Sequence, residues 1–261
     1  MMTIQNYVRP QSLEEAWQLN QKKRNRVVGG MMWLRLGGSI YTAIDLCDLG
    51  LNQIEETEEQ FSIDAMVTLR QLELHEGLNE YARGAVRDAV KDIIGVQFRN
   101  MATVGGSIWG RFGFSDVLTV FLAMDSYVEL YRGGIIRLEQ FVSMPKDNDI
   151  LVRLIVKKTA GQVVYKSMRI QRTDFPVIAC AVSQMDGQYR AVIGARPAAA
   201  RIVRDEEGLL DAGITAEGAK AFAAYAAKHT PTRSNVRGSA AYRTHLIRVL
   251  TERALLELGG V

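Results

Sequence analysis

The chain has 261 residues, enough for one large domain or two modest ones at roughly 150 residues each. With 48% hydrophobic and 23% charged residues its composition is that of an ordinary globular protein, which excludes a disordered or fibrous chain. The formal net charge of +3, from 32 basic and 29 acidic residues, is too even to imply a nucleic-acid or acidic-membrane partner by itself.

In chain order, Ser12-Leu-Glu-Glu15 is a capping-box pattern and predicts a helix running to about Gln21. A short strand follows, ending in Val27-Val28-Gly29-Gly30. Tyr41–Leu46 and Phe61–Val67 read as further strands, and the acidic run Glu55–Glu59 between them as a solvated loop or turn. A helix is expected over 80–94, then a glycine-rich segment over 99–113. Strands are expected at Ile150–Val156, Val163–Ile170, Val177–Gln184 and Tyr189–Ile193, the last two joined by Asp186-Gly187, a hairpin dipeptide. They suggest an antiparallel meander. Helices close the chain after Thr215 and from near Ser239, the second with Tyr242, Leu246, Val249, Leu250 and Arg253 as a stripe packed onto the meander. The change in character places a domain boundary within 145–162.

Chemistry is sparse in most residue types. His75, His229 and His245 have no nucleophile motif around them and are expected to be solvated and structural. Cys47 and Cys180 follow or lie within apolar strands and read as small buried hydrophobes. Two thiols cannot by themselves hold an iron–sulfur cluster or a four-cysteine zinc site, and their scarcity fits a reducing compartment. No HExxH, CxxC or Asp-rich metal loop appears, and no stretch approaches the ~20 apolar residues of a membrane span. The N-terminus has no basic start followed by an apolar core. A cytoplasmic protein with no metal in this chain is expected.

The glycines carry more. Val28-Gly29-Gly30 ends a strand, and Ala102-Thr103-Val104-Gly105-Gly106-Ser107 repeats the device further along. Glycine lets backbone N–H groups turn toward an anion, and successive N–H groups form an anion nest. Two such turns would grip the two phosphates of a dinucleotide, with Thr103 and Ser107 adding hydroxyls. Neither turn matches GxGxxG or GxxxxGK[ST].

The segment Arg99-Asn-Met-Ala-Thr-Val-Gly-Gly-Ser-Ile108, followed by Asp116 in GFSDVLTVFLAMD, resembles the FAD-binding (medium) subunit of the molybdenum hydroxylases, the family of xanthine dehydrogenase and carbon monoxide dehydrogenase. VVGG at 27–30, YTAIDL at 41–46, FSIDAMVTLRQL at 61–72 and Arg237-Gly-Ser-Ala-Ala-Tyr-Arg243 with LIRVLTERAL extend the resemblance over nearly the whole chain. It implies an α+β, two-domain flavoprotein. Residues 1–158 would be a vanillyl-alcohol-oxidase-like (PCMH-type) FAD-binding domain of two α/β subdomains, roughly 1–55 and 56–158. Residues 159–261 would be a three-stranded antiparallel sheet with helices.

By the same resemblance the FAD pyrophosphate lies between the two loops. Val28, Gly29, Gly30, Met31 and Met32 present amides on one side, and Ala102, Thr103, Gly105, Gly106 and Ser107 act on the other. Asp116 accepts from a ribitol or ribose hydroxyl, its plainer role being a surface helix cap, and Lys166 stands near the flavin, its plainer role being a solvated lysine. Two departures stand out: Met31-Met32 where the family reads Thr-Asp, and Ser107 where it reads Asn. The resemblance also implies an iron–sulfur subunit that delivers electrons singly, a molybdopterin subunit that hydroxylates the substrate, and NAD+ as acceptor of a hydride from flavin N5. No catalytic residue, nucleic-acid partner or membrane span is expected. A non-catalytic assembly subunit with weakened FAD affinity and a standalone FAD-dependent oxidoreductase are the alternatives.

Overall fold

The protein is described by a computed structural model covering residues 2–261. It forms two compact units that interleave along the sequence. The first comprises Met1–Gln71, Val96–Gly110 and Ser126–Lys157, and the second comprises Leu72–Gly95, Arg111–Asp125 and Lys158–Val261.

The chain opens with β1 (Ile4–Val8), α1 (Leu13–Asn20), β2 (Asn25–Val28) and β3 (Ile40–Asp45). Ser12 caps α1 by accepting from the Glu15 N–H as expected, while the returning Glu15 carboxylate accepts from the Gln11 N–H, one residue before the cap. The three strands make a parallel sheet in the order β1-β3-β2. Ile44 and Val27 of the sheet pack against Ala16, Leu13 and Trp17 of α1, while Val28, Ile40 and Ala43 gather Met31 and Leu34.

Then come β4 (Ile54–Glu56), β5 (Gln60–Asp64), α2 (Leu69–Leu74), α3 (Glu76–Tyr81), α4 (Ala85–Val90), α5 (Val96–Arg99), α6 (Val104–Trp109) and α7 (Asp116–Leu122). The acidic run is solvated as expected, but its first part is an edge strand paired with β5 and only the rest is a turn. The single helix expected over 80–94 is replaced by α3 and α4. Arg83 and Gly84 both adopt left-handed φ (49° and 82°), which ends one helix and starts another. His75 caps α3 by accepting from the Leu78 N–H, a role its sequence context did not signal.

Next are β6 (Ser126–Leu130), β7 (Gly134–Arg137), α8 (Leu138–Ser143) and β8 (Leu151–Lys157). With β4 and β5 they complete the first unit's second sheet, antiparallel throughout in the order β4-β5-β8-β6-β7. Phe61, Ile63, Val128, Leu154 and Val156 are fully buried in it, and α6 packs against β5 and β8.

The last part holds β9 (Gly161–Met168), β10 (Ile178–Met185), β11 (Gln188–Gly194), β12 (Arg201–Arg204), α9 (Ala216–Lys228) and α10 (Ala240–Gly259). The meander forms, with Asp186 and Gly187 at φ 48° and 74° as a two-residue primed turn requires. A short fourth strand, β12, joins at the edge beside β11 and extends the expected three. β10 is buried on both faces, which explains its unbroken apolar run. Cys180 and Val182 face α9 and α10, and Ser183 on the opposite face donates to the Ala123 carbonyl at the end of α7.

The buried stripe of α10 is Arg243, Leu246, Ile247, Leu250, Thr251, Ala254, Leu255 and Leu258. This shifts the expected stripe by about one residue. Tyr242 and Arg253 are exposed, because Arg243 enters the core with carbonyl partners. No helix among the described residues is long and apolar enough to cross a membrane.

Candidate cofactor site

Both glycine turns belong to the first unit, and the fold brings them into contact. The first follows β2 directly. The second is set by the docking of α6 beside β5: the Val104 and Gly105 N–H groups donate to the Val67 and Ala65 carbonyls, each at 2.8 Å. Thr103 caps α6, its Oγ1 accepting from the Gly106 N–H at 3.2 Å.

The glycines are what permit the approach. A Cβ at residue 29 would stand 2.6 Å from Thr103 Oγ1, and one at residue 30 would stand 1.8 Å from the Met101 carbonyl oxygen. A Cβ at residue 105 would stand 2.6 Å from the Ala65 carbonyl oxygen. Gly106 differs: it is exposed, and a Cβ there would meet only Thr103 Oγ1 at 3.1 Å.

The distribution of donors revises one expectation. In the second turn the Gly105, Gly106 and Ser107 N–H groups all have protein acceptors, and the Ser107 hydroxyl donates to the Thr103 carbonyl. Thr103 is buried with its Oγ1 engaged as the cap, so what this turn presents to solvent is the bare surface at Gly106. The first turn is the open one. Among the described residues the Gly30, Met31 and Met32 N–H groups have no acceptor, and all three residues are only half-buried. Met31 lies at φ 54°, the left-handed conformation in which successive N–H groups converge into an anion nest. Its side chain packs against the cluster of Val28, Ile40 and Ala43. The residues present therefore fit a phosphate-bearing cofactor held by backbone amides.

Asp116 and Lys166 belong to the second unit. Asp116 is 5% exposed, so it is no surface cap; Ser115 caps α7 by accepting from the Leu118 N–H. Its Oδ1 lies 2.7 Å from Arg169 Nη2 and accepts from the Tyr165 hydroxyl. Burial pushes its carboxyl above the usual carboxylate range against the pull of Arg169. Arg169 and Tyr165 were not singled out by the sequence, because residues on a strand and in a loop some 50 positions away carry no local signal of a shared carboxylate. Lys166, on β9, is ion-paired with Glu257 of α10.

Cys180 is buried and burial pushes its thiol up to about 12. Cys47 is exposed, contrary to expectation, because the chain leaves β3 into a short 3-10 turn at the surface. Among the described residues no group of three or more His, Cys, Asp or Glu side chains is arranged to hold a metal.

Residues 2–159 match the family model of the FAD binding domain in molybdopterin dehydrogenase, and residues 163–258 match the CO dehydrogenase flavoprotein C-terminal domain. The chain belongs to the flavoprotein family of the molybdenum hydroxylases. Its fold is that of this family's solved members. It superposes with a TM-score of 0.83 on a chain of quinoline 2-oxidoreductase from Pseudomonas putida 86, at 19% identity over 98% of this chain and 96% of that one. For a chain of reconstituted CO dehydrogenase from Oligotropha carboxidovorans the TM-score is 0.84 at 23% identity, covering 97% of this chain and 96% of that one. In sequence it is similar to YgfM, an uncharacterized protein of Escherichia coli K12, at 26% identity over 95% of this chain and 93% of YgfM.

Proposed function

We propose that the chain is the flavin-holding electron-transfer subunit of a multi-subunit, xanthine dehydrogenase-like molybdenum hydroxylase in the cytoplasm. It would stand between the iron–sulfur clusters of one partner chain and NAD+ or another acceptor, with the molybdopterin centre on a second partner. Residues 1–158 would hold FAD and 159–261 would form the accompanying domain. The observation that carries this reading is the pair of touching glycine turns with open amides at Gly30, Met31 and Met32, in a chain matched by both family models.

Bound FAD would supply the redox chemistry, taking electrons singly and releasing them as a pair. The chain's own residues do the holding. The amides of Gly30, Met31 and Met32 neutralise phosphate charge, and Gly106 leaves room for close approach. No side chain of this chain is assigned proton transfer.

Purified chain incubated with FAD and then freed of unbound flavin by gel filtration should retain the yellow flavin absorbance, and Gly30→Val should abolish it. Wild-type protein that emerges colourless from gel filtration after saturation with FAD would defeat the reading. Isolation from its native cell should bring down partner chains carrying iron, sulfide and molybdenum.

One observation favours a second reading, an assembly subunit with weak FAD binding. Met31 turns its side chain into an apolar cluster and offers no oxygen to a ligand. Partner chains that co-purify equally with wild-type and Gly30→Val protein, with no flavin in either, would support it.

A further inference from the structure

Between β11 and β12 the chain carries Arg196, whose half-buried guanidinium is fixed by two backbone carbonyls. Nε donates to the Ala199 carbonyl and Nη1 to the Pro231 carbonyl, each at 2.7 Å. Each of those carbonyls lies two residues before another arginine, Arg201 and Arg233. The same two bonds therefore bring three guanidinium-bearing segments together. Burial, with the fields of Arg201 and Arg233, holds Arg196 below the usual arginine range, and no acid offsets them.

Three other arginines of this unit do have carboxylate partners: Arg169 with Asp116, Arg172 with Asp92 and Arg237 with Asp174. Arg201 and Arg233 are exposed, and among the described residues their side chains have no acidic partner.

The supporting backbone is rigid. Buried Arg243 donates to the Arg233 and Gly238 carbonyls at 2.7 and 2.6 Å and to Asn235 Oδ1 at 2.7 Å, which fixes the loop that carries Arg233. On the other side the Ala195 N–H donates to the Gly113 carbonyl at 2.6 Å, and a Cβ at residue 113 would lie 2.0 Å from the Ala198 carbonyl oxygen. Three like charges gathered on pre-ordered backbone repel one another unless an anion joins them. Guanidinium forks pair bidentately with the oxygens of a phosphate, and a dianion offsets more of the gathered charge than a monovalent ion does.

We propose that Arg196, Arg201 and Arg233 form a binding site for a phosphate dianion, either free or borne by a nucleotide. The site lies in the second unit and uses none of the residues of the glycine turns, so it stands whether or not the chain holds flavin. The test is calorimetric titration of the full chain at low salt with inorganic phosphate and, separately, with adenosine 2′,5′-bisphosphate. The wild type should bind phosphate saturably. The double variant Arg201→Gln/Arg233→Gln, whose exposed side chains should leave the melting temperature unchanged, should bind it about tenfold more weakly or not at all. Tighter binding of the nucleotide than of free phosphate, lost in the same variant, assigns the site to a nucleotide; equal affinities assign it to free phosphate. Equal phosphate binding by wild type and double variant, or no saturable binding by the wild type, would overturn the proposal.

Discussion

Gly30 and Met101 approach so closely that a Cβ on residue 30 would stand 1.8 Å from the Met101 carbonyl oxygen. The obstacle is backbone on both sides, so neither turn can yield by rotating a side chain. Gly30→Ala should therefore separate the turns and cost about 1–3 kcal/mol or more in stability, the scale of overpacking. Gly106→Ala, whose Cβ meets only Thr103 Oγ1 at 3.1 Å, should leave chemical denaturation nearly unchanged yet weaken FAD binding. Equal denaturation midpoints for the two variants would refute this ordering.

Thr103 joins both turns through one oxygen. Oγ1 caps α6 and is also the atom that a Cβ at residue 29 would strike at 2.6 Å. Thr103→Ala should cost about 1 kcal/mol through the lost cap, and Gly29→Ala should cost more through the clash. The double variant should be less damaged than the sum by about 1 kcal/mol, because the first change removes the obstacle to the second. Additivity in a urea-denaturation cycle would show that the contact does not govern the turn.

Asp116 should behave as a structural carboxylate. Its removal in Asp116→Ala leaves Arg169 buried without its carboxylate partner, at a cost of about 3–5 kcal/mol. Tyr165→Phe, which deletes one hydrogen bond to the same oxygen, should cost about 1 kcal/mol. If Asp116→Ala lowered FAD affinity at full stability, the carboxylate would have to face a cofactor hydroxyl instead.

The two thiols should separate cleanly. In the native protein a disulfide reagent should titrate a single thiol, Cys47, and do so slowly at neutral pH, since desolvation and the neighbouring Asp45 hold that thiol above its usual range. Cys180 should react only after unfolding.

Its thiol is pushed from 9.0 to about 12 by burial, so its neutral form is the one the folded state favours. Below pH 9 this contribution is fully present. Above it the unfolded chain loses the proton first, and stability falls until the folded thiol titrates near 12. Cys180→Ala should flatten the alkaline limb of the stability profile, measured as denaturation midpoint against pH.

Much of the architecture was legible because its signals are local. The Ser12 cap and the Asp186-Gly187 hairpin each depend on residues a few positions apart, and both appear where the sequence put them. The helix expected over 80–94 failed because a left-handed Arg83 is invisible to periodicity. The α10 stripe moved by one residue because Arg243, outside the expected stripe, is buried by carbonyls supplied from Val177, Arg233 and Gly238.

The same division runs through the site. By itself the sequence determined the family, the two glycine turns and the absence of enough cysteines to hold a cluster, since these need only residue identity and order. Tertiary structure alone decided which amides stay open. The second turn gives its amides to Ala65 and to its own cap, while the first keeps Gly30, Met31 and Met32 free. It likewise decided that Asp116 lies beside Arg169 and that three arginine-bearing segments meet with no acidic partner among the described residues. Each of these is a pairing between distant segments, fixed by packing and charge, which no local stretch of sequence encodes.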